Sequence, residues 1–141
     1  MEGVIWGYVL IGPGRPARAT QLKVMGYAGA DISSIGTVWE DELPARATRP
    51  QSQLTERNIL LSTVRPGDQV HFADLLCLGV SPQDVDWFLD QLKRMGATAI
   101  IHTGIREIDP YGDRTEVLED FEKARRAMHV RRSRAKKRDG G

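Results

Sequence analysis

The sequence predicts an α/β protein: a mainly parallel sheet of four to five strands with helices on both faces, then a long basic C-terminal helix. Two observations carry this. Short runs of apolar, aromatic and β-branched residues alternate with segments of helical period, the pattern of a parallel sheet crossed by helices. Beyond residue 112 the alternation stops, and after Met128 charge takes over, so the chain divides into an α/β domain over 1–112 and a helix with a basic tail over 113–141.

The first strand is expected at 4–11, "VIWGYVLI", an unbroken apolar run of the kind buried on both faces. Gly12, Pro13, Gly14 and Pro16 end it in a turn. Residues 17–28 read as a helix with Leu22, Met25 and Ala28 on one face and Gly29 as its stop. "ISSIGTVW", 32–39, reads as the second strand, and 40–53, with two prolines and no apolar period, as a loop. A helix over 55–64 ends at "RPGD", because Pro66 and Gly67 cannot continue it. "QVHFA", 69–73, is a third strand. Ser81-Pro82-Gln83-Asp84 starts a helix with a serine cap, proline at the first position and an acid in the first turn. Val85, Phe88, Leu89 and Leu92 give it an apolar face and Gly96 closes it; "ATAIIHT", 97–103, is the fourth strand.

The last helix is expected to start at a cap formed by Asp113 with Glu116, or at Thr115. Val117, Phe121, Ala124 and Met128 form one apolar stripe, which fades into "HVRRSRAKKRDGG". Residues 123–141 hold nine Lys or Arg and one Asp, a charge of +8, while the remainder carries −7. The formal net charge of +1 conceals an acidic body with a basic tail. Such a tail fits a polyanion, and Arg125, Arg126, Arg131, Arg132, Arg134, Lys136, Lys137 and Arg138 are its candidate nucleic-acid contacts.

Other classes have no support. No apolar run spans a membrane and no leader segment is evident. The single cysteine, Cys77, fits a reducing, cytoplasmic setting. His71, His102 and His129 are scattered without metal-ligand spacing, and Gly12-Pro13-Gly14 is not a G-x-G-x-x-G cradle, so neither a metal nor a cofactor is expected.

"GYVLIG" at 7–12, "RPGD" at 65–68 and "LLCLGVS" at 75–81, in this order and spacing, resemble the catalytic domain of serine recombinases, the resolvases and invertases. That family begins with a strand like G-Y-x-R-V-S, whose serine attacks DNA phosphate, and later carries "RPGD" and a segment like L-D-R-L-G-R-S. The resemblance runs over about residues 4–138 and implies a resolvase-like sheet ending in a long helix that dimerises and lies along DNA. Gly7, Tyr8, Gln21, Asp41, Leu78, Gly79 and Ser81 match family positions; Arg49 is a weaker match.

The chemistry does not match. Gly12 stands at the nucleophile's position and Leu10 at that of an arginine. Leu76 replaces an aspartate, Cys77 and Val80 replace two arginines, and Asp74 replaces a cation. Transfer of a phosphoryl group to serine needs the hydroxyl and several cations, so the resemblance implies a pseudoenzyme with no catalytic residue. The expected role is regulatory or architectural: self-assembly through Val117, Phe121, Ala124 and Met128, and nucleic-acid binding with little sequence preference through the tail, as the family's usual helix-turn-helix module is missing. Two other readings stand beside it. One is a protein-interaction module using an apolar "LLCLGV" surface. The other is a residual enzyme that holds a small phosphorylated substrate at the Gly12 turn with Arg15 and Arg18.

Overall fold

The computed structural model describes the backbone of residues 3–139, with side chains through residue 134. Five strands form one sheet in the order β2-β1-β3-β4-β5. Strands β1 (Ile5–Ile11), β2 (Val38–Glu42), β3 (Gln69–Phe72) and β4 (Thr98–Ile101) run parallel; β5 (Arg106–Ile108) returns antiparallel to β4. The helices are α1 (Arg18–Ala28), α2 (Pro50–Gln53), α3 (Thr55–Thr63), α4 (Pro82–Met95) and α5 (Thr115–Asp139), with a 3₁₀ turn at Leu75–Leu78.

Alternation along β1 separates two cores. Tyr8 and Leu10 point to one face, with Val70 and Phe72 of β3 and Ala99 and Ile101 of β4. There they meet Leu60 of α3, Val85, Phe88 and Leu92 of α4, and the apolar stripe of α5. Val9 points to the other face and packs on Met25 of α1 with Ala73. Tyr8, Phe72 and Phe88 meet edge-to-face at centroid distances of 5.8–6.2 Å. Helix α1 leads from β1 to β2 on one side and the chain then crosses to β3 on the other, so β1 and β3 flank the point where strand order reverses. Open parallel sheets place their sites there, outside the strands' carboxyl ends. The turn after β1 sits at that point.

Capping matches the sequence at two helices. Ser81 Oγ accepts from Asp84 N at 3.1 Å at the start of α4, and Gly29 ends α1 in the left-handed conformation, φ 101°. The "RPGD" turn has a structural reason. Gly67 takes φ 88°, and the Asp68 carboxylate accepts from Arg65 N, Val4 N and Trp6 Nε1, each at 2.8 Å. It ties the chain's start to β3.

Several boundaries differ. The second strand is not 32–39 but Val38–Glu42. Asp31 Oδ1 accepts from Ser33 N and its carbonyl from Thr37 N, which closes a turn and leaves Ile32 and Ile35 exposed. The expected loop over 40–53 is half ordered, by the end of β2 and by the one-turn α2 with Pro50 at its start. Strand β5 was not predicted. At the start of α5, of the two expected caps, Asp113 with Glu116 or Thr115, Asp113 is engaged with Thr115: its Oδ1 accepts from Thr115 N (2.9 Å) and Thr115 Oγ1 (2.7 Å).

The largest correction concerns the α5 stripe. Val117, Phe121 and Met128 are buried and Ala124 is packed against the same core. They lie on α4 and the 3₁₀ turn of their own chain. The predicted oligomer interface is therefore interior: the apolar face that a second copy would cover is already covered within one chain. Helix α5 is part of the main core rather than an attachment to it.

Candidate nucleic-acid interface and the glycine turn

The turn after β1 is packed against two neighbours, Leu43 and Met128. A Cβ at Gly12 would lie 2.6 Å from Leu43 Cδ1, so the leucine just past β2 occupies the space a side chain needs. Gly14 takes φ 77°, and a Cβ there would lie 2.3 Å from Met128 Cγ. Helix α5 thus rests on the turn through Met128.

The two arginines assigned to the turn are engaged elsewhere. Arg15 donates from Nε to Leu76 O (3.0 Å), from Nη2 to Gly79 O (2.6 Å) and from Nη1 to Pro13 O (2.9 Å). It clamps the turn to the segment 75–79, and burial lowers its pKa. Arg18 forms a two-pronged pair with Glu40 at 2.7 and 3.0 Å. Both cations of the residual-enzyme reading are met by protein acceptors.

The segment "LLCLGV" is core. Leu76, Cys77 and Leu78 are buried, and Asp74 caps the 3₁₀ turn through Leu76 N. The protein-docking surface proposed there is internal. Burial pushes the Cys77 thiol up to about 12, with Asp74 adding to the effect, so it is not a replacement nucleophile.

Gln21 and Asp41 have structural work. Gln21, fully buried, holds Leu10 on both sides: Oε1 accepts from Leu10 N (3.1 Å) and Nε2 donates to Leu10 O (2.8 Å). Strand β3 pairs with β1 only as far as Gly7, so this amide completes the ladder beyond it. Asp41 lies inside β2 rather than after it, accepts from Tyr8 Oη at 2.7 Å, and meets Glu56 N and Arg57 N at the start of α3. Burial and the Asp41 charge push the Tyr8 phenol far up, so it stays protonated.

Sequence reasoning missed the most unusual group. Arg57 and Asp84 form a fully buried two-pronged ion pair at 2.7 and 2.8 Å. The guanidinium lies 4.9 Å from the Phe88 ring centroid and 5.2 Å from that of Trp87. Asp84 also accepts from Val80 N at 3.1 Å. Every prong is answered within the fold except Arg57 Nε.

His102, scattered from His71 in the sequence, meets it in the fold. His71 Nδ1 and His102 Nε2 are 2.8 Å apart and the rings stack. Burial first, then the neighbouring imidazole, brings His71 down to about 4. The folded pKa lies below the unfolded one, so the unfolded chain binds the extra proton more readily. Stability is full above about pH 6.5 and is lost as pH falls toward 4. His71→Gln will flatten that part of the stability curve; urea midpoints from pH 7 to 4 check it, and an unchanged slope would refute it.

The candidate nucleic-acid contacts divide in two. Arg125 and Arg126 both bond the Glu122 carboxylate, at 2.9–3.1 Å, so one acid offsets part of their charge. Arg131, Arg132 and Arg134 are exposed on the part of α5 beyond Met128. The helix backbone continues through Lys136, Lys137 and Arg138, whose side chains lie outside the described residues. Between α5, the 43–47 loop and the turn lies a 240 Å³ cavity whose wall includes Arg15, Arg125, His129 and Arg132. Among the described residues no helix is long and apolar enough to cross a membrane. No protein-family model and no curated protein matches the chain.

Proposed function

We propose that this chain is a catalytically silent relative of the serine recombinases that binds nucleic acid through the free end of α5, in a regulatory or architectural role. One observation carries the binding reading: α5 continues past Met128, its last buried anchor among the described residues, into a run where Arg131, Arg132 and Arg134 are exposed. Cations on one rod-like element suit a phosphate backbone and read little sequence. The resolvase-like reading is supported by the parallel order β2-β1-β3-β4 and by where "RPGD" and "LLCLGVS" fall in it. The pseudoenzyme reading is supported by Gly12 beneath Leu43 and by the engagement of Arg15 and Arg18. Self-assembly through the α5 stripe drops out of the reading, since that stripe is interior.

A protein partner is the second reading. What favours it now is Tyr27 and Ile35, 94% and 93% exposed beside part-exposed Ile32 at the α1–β2 connection.

The test is fluorescence anisotropy on labelled duplex DNA across a salt series. The comparison is a variant with Arg131, Arg132, Arg134, Lys136, Lys137 and Arg138 changed to Gln, which keeps Met128 in place. The native chain is expected to bind, with log affinity falling about 0.9 per phosphate contact for each decade of salt. The variant is expected to lose that dependence. Equal binding by both, or none by either at low salt, would refute the reading.

A further inference from the structure

The sheet face that carries α1 is only half covered. Helix α1 packs over β1 and reaches β3. On β4, Thr98 and Ile100, and His102 just past its end, are part-buried while Ala99 and Ile101 between them are buried. His71 and His102 lie on this open half, at the carboxyl ends of β3 and β4. They belong to neither the turn nor the basic helix.

Their geometry is that of a ligand pair. His71 Nε2 lies 3.0 Å from Gln69 Oε1. With that oxygen accepting, His71 carries its proton on Nε2 and turns the Nδ1 lone pair toward His102 Nε2, 2.8 Å away. A hydrogen bond that fixes one ring nitrogen as donor and frees the other is how metal-binding histidines are oriented. Two nitrogens at metal–ligand bonds of about 2.0–2.1 Å and at right angles stand about 2.9 Å apart. His71 is buried, 6% exposed, and His102, part-buried, is the member of the pair that meets solvent.

We propose that His71 Nδ1 and His102 Nε2 form a two-nitrogen seat for a divalent transition ion, which stands off the line joining the two nitrogens and replaces the proton they share. The His102 proton moves through solvent from Nε2 to Nδ1, so both imidazoles remain neutral and no proton is released overall. Water supplies the other ligands, because among the described residues no group of three metal-binding side chains gathers. Imidazole nitrogen and an open coordination sphere favour Cu²⁺, then Ni²⁺ and Zn²⁺.

Titration of the full chain with Cu²⁺, followed by electron paramagnetic resonance and calorimetry, tests this. One equivalent is expected to bind with coupling to two nitrogens. His102→Gln and His71→Gln are each expected to weaken binding at least about tenfold, while His129→Gln leaves it unchanged. His102→Gln alone decides the matter if His71→Gln does not fold. No saturable binding, or binding that survives His102→Gln, or binding lost in His129→Gln, would overturn the proposal.

Discussion

Arg57→Ala will cost the fold about 3–5 kcal/mol, the range for removing one partner of a buried ion pair. The substitution removes two hydrogen bonds to Asp84, of 2.7 and 2.8 Å, and leaves a carboxylate 4% exposed with only Val80 N to answer it. It also takes a cation from between Trp87 and Phe88 and opens a cavity in the centre of the domain. Asp84→Ala should be as severe for the opposite reason, as it strands the guanidinium. Replacing both with apolar residues of similar volume should recover much of the loss, since an ion pair buried at this depth gains little over good packing. Urea unfolding checks all three. A single-variant loss below about 1 kcal/mol would mean that water or a shifted side chain reaches the pair.

Phe121→Ala is expected to destabilise the chain by about 3–5 kcal/mol, the usual cost of emptying a buried phenylalanine site. Phe121 is fully buried within the chain. Its loss should therefore lower the melting temperature equally at every protein concentration. Were the stripe an interface between copies, the same substitution would shift sedimentation and make stability concentration-dependent. A variant that melts like the native chain but sediments more slowly would sink the interior assignment.

How far the sequence could be read follows from what each residue signals locally. Strands β1, β3 and β4 and helices α1, α3, α4 and α5 were legible because apolar period and caps agree there, as at Ser81-Pro82 and Gly29. Strand β2 was misplaced because Ile32 and Ile35 imitate a strand while Asp31, Ser33 and Gly36 set a turn, and local turn chemistry prevailed. Strand β5 has three residues, and its order comes from pairing with β4. The α5 stripe was read correctly as apolar and wrongly as free, because periodicity shows that a face is buried and not what buries it. Arg57 left a trace that went unread: it falls three residues after Leu54 and three before Leu60, in the buried phase of α3. A cation in that phase demands a buried acid. The demand was visible, but only the fold identifies Asp84 as the acid.

The contact between Met128 and Gly14 bears on the energetics of the basic end. A helix in isolation is limited by its nucleus, since the first turn fixes several residues for one hydrogen bond. In α5 the segment packed on the core supplies that nucleus, and every residue after Met128 needs only propagation from it. Like charges along the free end oppose propagation, and a polyanion removes that opposition. The turn after β1 thus acts at a distance, as the seat from which the cationic rod is grown.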